Sequence, residues 1–129
     1  MGILLDTSLL IAAERGELDL REATGDTEVA MAAVTAHELS RGVGRLSVGL
    51  SRMRAERWLE ALLDVLPVVP YDQEVARVHA ALWIDLSRRG LTLGPYDQMI
   101  AATALHLDFG LATRDRAFGR VPGLVVRSW

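Results

Sequence analysis

The chain has 129 residues and a net charge of −3, with 50% of its residues apolar and 24% charged. That length makes one domain able to bury a core without staples, and the absence of cysteine rules out disulfides and any zinc site with thiolate ligands. The mild acidity argues against an indiscriminate nucleic-acid coat. All 14 basic residues are arginine, so a Gly-Lys phosphate loop, a Schiff-base lysine and a receiver-domain site are excluded.

Gly2 to Leu5 reads as a short strand buried on both faces, and Thr7 to Glu14 as a helix stopped by Gly16. This apolar start is too short for a secretory segment, is broken by Asp6 and Glu14, and follows no basic region. No window reaches the roughly 18 continuous apolar residues of a membrane span. The expectation is a cytoplasmic protein. Leu18 to Ala23 reads as a short second helix and Glu28 to Val34 as a strand. Thr35-x-x-Glu38 fits a capping box, so the next helix is expected to open at Thr35. Leu50 to Leu66 has helical spacing, with Trp58, Leu59, Leu62 and Leu63 apolar. Val68-Val69, enclosed by Pro67 and Pro70, is a short strand.

Asp72 is the expected N-cap of a helix through Val75, Val78, His79, Leu82, Trp83 and Leu86, ending near Gly90. Gly94-Pro95 starts another, with proline in the first turn and Asp97 just inside. Gly110 to Thr113 is a strand, Asp115 to Phe118 a helical turn, and Leu124 to Arg127 a last strand. Strands alternating with helices predict an α/β sandwich around a mainly parallel sheet, as a single domain over 1–129.

Four acids then stand out. Asp6, Glu38, Asp97 and Asp115 each fall where an apolar run gives way to a helix. In a parallel sheet the strands' carboxyl ends share one edge, so these residues are expected to converge. Each alone has a structural explanation as a cap or as a first-turn acid favoured by the helix dipole. Together they form an anionic cluster that repels itself unless a cation enters it, and hard ions such as Mg²⁺ take carboxylate oxygens and substrate phosphates. The pattern points to metal-dependent cleavage of a phosphodiester.

Leu4-Leu5-Asp6-Thr7-Ser8, Thr35-Ala36-His37-Glu38-Leu39, the run from Gly94-Pro95-Tyr96-Asp97 to Leu105, and Leu111-Ala112-Thr113-Arg114-Asp115 carry a resemblance. In order and spacing they resemble the PIN-domain ribonucleases, above all the VapC toxins of bacterial type II toxin–antitoxin pairs. The resemblance spans essentially the whole chain. It implies a PIN-like three-layer sandwich and an endoribonuclease dependent on Mg²⁺ or Mn²⁺. Asp6 and Asp97 match the most direct metal ligands, and Glu38 and Asp115 match acids that complete the pocket. Thr113 matches a supporting hydroxyl, with Thr7 and Ser8 as further supports. The implied partners are an RNA substrate, a cognate antitoxin and a second copy of the chain in a homodimer, with no membrane.

The alternatives are another nuclease or phosphatase built on an acidic centre, and a catalytically silent PIN-like binding module. The histidines His37, His79 and His106 are too scattered for a ligand motif and read as surface or packing residues. Trp58 and Trp83 read as core or interface. Arg41, Arg45, Arg52, Arg54 and Arg57, interleaved with Leu46, Val48, Leu50 and Met53, make either a solvated helix pair or a groove combining apolar anchors for a partner helix with arginines for RNA phosphate.

Overall fold

Neighbouring side chains on each central strand point into different cores. The computed structural model describes residues 1–129. Its strands are β1 (Ile3–Leu5), β2 (Val29–Ala32), β3 (Val68–Val69), β4 (Gly110–Ala112) and β5 (Val126–Arg127). Its helices are α1 (Thr7–Glu14), α2 (Leu20–Thr24), α3 (Ala33–Gly44), α4 (Leu50–Val65), α5 (Gln73–Arg89) and α6 (Pro95–Leu107), with a 3₁₀ turn at Arg116–Arg120. On β1, Ile3 and Leu5 join Leu9, Leu10, Leu39, Leu59 and Leu62 in one core, while Leu4 joins Leu82, Leu86, Ile100 and Phe118 in the other. On β2, Met31 faces the first core, and Ala30 and Ala32 the second. The result is a three-layer sandwich with α1, α3 and α4 on one face and α5 and α6 on the other.

The sheet order is β3-β2-β1-β4-β5, and every pairing is parallel. Chain direction across the sheet reverses between β1 and β4, which makes their carboxyl ends the switch point where such folds bind ligands. The register there pairs Leu5 with Ala112, and the Asp6 amide donates to the Ala112 carbonyl at 2.9 Å. Asp6 and Thr113 therefore leave the sheet side by side.

Residues 100–104 of α6 are all buried. At about 100° per residue, five consecutive buried positions run round the whole helix, so α6 is enclosed between the sheet and α5. Alanines at 101, 102 and 104 permit that close approach. The α5 ends are the ones its sequence announces. Asp72 caps the Val75 amide at 3.0 Å, and Gly90 closes the helix in the left-handed region at φ 69.

Several boundaries move. The capping box does not form: α3 opens two residues early, at Ala33, and its N-cap Ala32 has no polar side chain to accept a hydrogen bond. β2 ends at Ala32, so the chain turns into helix as soon as its ladder stops. Val34, read as strand, is helical. The second helix begins at Leu20 because Asp19 caps the amides of Arg21 and Glu22. The last strand is only Val126–Arg127. Trp83, offered as core or interface, is not core, being 58% exposed, whereas Trp58 is half-buried against α1 and α4 residues. No helix is long and apolar enough to cross a membrane.

Candidate active site

Asp6 is 3% exposed and sits at the N-cap position of α1, yet its carboxylate caps nothing. It turns across the switch point, where Oδ2 accepts from Ser8 Oγ at 2.6 Å and from Thr113 Oγ1 at 2.7 Å. Thr113 in turn accepts from the Asp115 amide at 3.0 Å, and Ser8 from the Arg114 amide at 3.2 Å. Each hydroxyl thus accepts a hydrogen bond from a backbone amide and donates its own to the same carboxylate oxygen. A buried carboxylate without donors would cost several kcal/mol. Here both donors load one oxygen, and Oδ1 is free of them.

Glu38 lies in the second turn of α3, with Oε1 accepting from Thr7 Oγ1 at 2.9 Å. The buried Thr35 hydroxyl lies 3.2 Å from the same Thr7 oxygen. Thr35 therefore supports the Thr7–Glu38 pair instead of capping the helix, a role that no local pattern announces. Asp115 does act as a cap, with Oδ1 accepting from the Ala117 amide at 2.9 Å. Asp97, in the first turn of α6, takes no protein hydrogen bond that fixes its carboxylate.

The four acids meet electrostatically. The Asp97 carboxyl is pushed up from 3.8 to about 6, first by burial and then by the charges of Asp6, Asp115 and Glu38. No arginine relieves them: the ion pairs are Arg52–Glu56, Arg89–Asp85 and Arg114–Glu17. Each acid keeps at least one oxygen that no protein donor occupies. Hard divalent ions prefer this all-oxygen, anionic donor set. No group of three or more His, Cys, Asp or Glu side chains forms a ready-made cage. Mg²⁺ does not need one, since it keeps several waters and commonly takes only one or two carboxylates directly.

The sequence-predicted residues Asp6, Glu38, Asp97, Asp115 and Thr113 are thus brought to one edge of the sheet, with Thr7 and Ser8 beneath them. A family model described as the PIN domain matches residues 3–124. The chain belongs to the PIN-domain family.

Several solved structures of VapBC assemblies are similar to this PIN domain. DNA-bound VapBC from Salmonella typhimurium matches with a TM-score of 0.88 at 28% identity, over 100% of this chain and 98% of that one. VapBC-5 from Mycobacterium tuberculosis, a member of the VapBC family of toxin–antitoxin systems, gives 0.79 at 30% identity, over 99% and 98%. VapBC2 from Rickettsia felis, bound to a DNA fragment from its promoter, shares the fold at 0.89 and 22% identity, over 100% and 99%. A search of curated proteins by sequence returns no significant match.

Proposed function

We propose that this PIN domain is the VapC-type toxin of a type II toxin–antitoxin pair, acting in the cytoplasm as an endoribonuclease dependent on Mg²⁺ or Mn²⁺. One observation carries the reading: no arginine pairs with Asp6, Glu38, Asp97 or Asp115, and Asp97, pushed up to about 6 first by burial, is raised further by the charges of the other three. A structural carboxylate cluster would be neutralised by protein cations; this one leaves the neutralising charge to a ligand.

Asp6 and Asp97 hold the ion in this reading, and Glu38 and Asp115 complete the pocket. When bound, a divalent ion polarises a phosphoryl oxygen and lowers the pKa of a coordinated water. The chain's own part is orientation. Thr113 and Ser8 fix Asp6 through Oδ2, so that Oδ1 keeps one direction. Thr7 does the same for Glu38. No side chain need become covalently attached to the substrate.

The antitoxin reading has its own surface. Ile11, Leu39, Val43, Leu46 and Trp58 line a groove of about 340 Å³ between α1, α3 and α4, with Glu38 at its edge. Leu46 is in this groove; Met53, the second anchor expected from the sequence, is exposed on α4 outside the lining. A partner segment seated there reaches the acidic pocket, which couples binding to inhibition.

Incubating the purified protein with total cellular RNA, with and without Mg²⁺ or Mn²⁺, tests the activity, with new 5′ ends mapped alongside Asp6→Asn. Cleavage that needs the ion and vanishes in Asp6→Asn supports the reading. Cleavage of DNA alone, phosphate release from a monoester, or no cleavage with any ion replaces it with one of the rival readings.

A further inference from the structure

Three planar side chains stand together on the rim of the pocket, and the metal chemistry leaves them unused. His37 precedes Glu38 on α3, and Tyr96 precedes Asp97 on α6. Their rings meet edge to face with centroids 5.7 Å apart, and the Tyr96 phenol oxygen lies 3.4 Å from His37 Nε2. Arg41, one helical turn beyond His37, holds its guanidinium 5.8 Å from the centre of the Tyr96 ring. Arg41 enters none of the ion pairs that occupy Arg52, Arg89 and Arg114. His37 and Arg41 are exposed, and Tyr96 is half-buried.

Four carboxylates repel the very polyanion they are proposed to cut. A strand entering this pocket needs a cation at its mouth to offset that repulsion. Arg41 is such a cation, with no acid partner of its own. Beside it, phenol and imidazole rings offer the π surfaces on which unpaired bases stack with little regard to sequence, and a guanidinium plane stacks on bases as well.

We propose that His37, Arg41 and Tyr96 form a ledge that seats an unpaired base and its phosphate next to the scissile linkage. The inference rests on the ribonuclease reading above and names the residues that position its substrate. His37 and Tyr96 are the immediate neighbours of Glu38 and Asp97 on α3 and α6, so the ledge is carried by the two helix segments that supply two of the pocket's acids. A base inside a duplex shows no free face, and the ledge therefore selects single strands. These residues position the strand and do not touch the reacting atoms.

The test is anisotropy binding of a short, labelled, mixed-sequence RNA, single-stranded or as a blunt duplex, to protein carrying Asp6→Asn to prevent cutting. The single strand binds more tightly than the duplex. Tyr96→Ala and Arg41→Ala each weaken single-strand binding by about tenfold, the scale of one lost base stack, while Tyr96→Phe stays within about twofold. In the cleavage-competent protein the same two changes raise KM by about tenfold and leave kcat within about threefold, and the Mg²⁺-induced rise in Tm is unaltered. Tyr96→Leu, which keeps bulk without a π face, carries the test if Tyr96→Ala fails to fold.

Equal affinity for single strand and duplex, or no RNA binding at all, overturns the ledge, as does full affinity in the Tyr96 and Arg41 variants. So does a loss confined to antitoxin binding. The two readings fail separately: an inert Asp6→Asn with Tyr96→Ala binding RNA normally removes only the ledge. An Asp6→Asn protein that still cuts RNA removes the acidic pocket as the seat of cleavage, and the ledge beside it.

Discussion

Thr113 Oγ1 lies 2.7 Å from Asp6 Oδ2, a bond between residues 107 positions apart that joins the ends of β4 and β1. The same hydroxyl accepts the Asp115 amide at 3.0 Å, so one side chain ties together two of the four acids. Thr113→Val keeps the shape and removes both functions. The expected loss in cleavage rate or metal affinity is about 10–100-fold, typical of groups that orient metal-holding side chains. It is accompanied by a stability loss of about 1–3 kcal/mol, because Asp6 Oδ2 keeps only Ser8 as a donor and the Asp115 amide loses its acceptor. Thr113→Ser should restore most of both. Ion titration and thermal melts of the two variants check this; a Thr113→Val protein with parental ion affinity would refute the orienting role.

Asp97 makes the ion-free protein sensitive to pH in a defined sense. Its carboxyl rises from an ordinary 3.8 to about 6 through burial and through Asp6, Asp115 and Glu38. Between those values the folded protein holds a proton that the unfolded chain has released, so this group's contribution to stability is largest below about pH 4 and falls as the pH rises through about 6. A bound cation acts in the opposite direction, because proton and metal compete for the carboxylate. Mg²⁺ should therefore raise Tm clearly at about pH 7.5 and little at about pH 4.5. Asp97→Asn should flatten the ion-free slope and abolish the Mg²⁺ effect. Equal Mg²⁺ stabilisation at both pH values would dissociate the shift from ion binding.

The parts of this site readable in the sequence are those set by strand ends. Asp6, Thr113 and Asp115 follow short apolar runs, and a parallel sheet brings such ends together whatever their separation. The ends of α5 were equally legible, because Asp72 and Gly90 act locally. For Glu38 the structural explanation offered by the sequence, a helix cap, does not hold. Thr35-x-x-Glu38 imitates a capping box, but β2 releases the chain at Ala32, and the helix starts before Thr35 can cap it. Both side chains are then free to meet Thr7, a contact between α1 and α3 that tertiary packing alone creates. Trp83 stays out of the core for a geometric reason. Counting about 100° per residue from Val75, it points about 80° away, whereas Leu82 and Leu86 fall within about 20°.

The groove beside Glu38 predicts how the antitoxin is held. Leu46 is 41% exposed and lines it together with Leu39 and Val43 from α3. Leu46→Asp places a charge on an apolar wall that contributes little to the core, so stability should change by less than about 0.5 kcal/mol. Antitoxin affinity should fall by at least about tenfold, the scale of a lost anchor of more than 1 kcal/mol. Cleavage by the free toxin should be unchanged. Titration of the purified pair decides the matter, and unimpaired affinity would move the antitoxin to another face.

The outer side of α5 carries the proposal of a homodimer. Trp83, Ile84 and Tyr71 are 58%, 45% and 43% exposed, and with Ala76 and His79 they line a shallow apolar hollow of about 360 Å³. Large aromatic side chains left in water and clustered this way are characteristic of interface anchors. A two-fold axis along α5 would let each Trp83 cover the partner's hollow, since a two-fold contact is made by the same patch on both subunits. Trp83→Arg should therefore yield monomer in sedimentation while leaving Tm close to that of the free monomer, because the indole contributes nothing to either core. Leu82→Ala, one residue away but buried, should behave oppositely, costing about 2–5 kcal/mol of stability. If the parent protein sediments as a monomer at micromolar concentration, or Trp83→Arg remains dimeric, α5 does not mediate self-association.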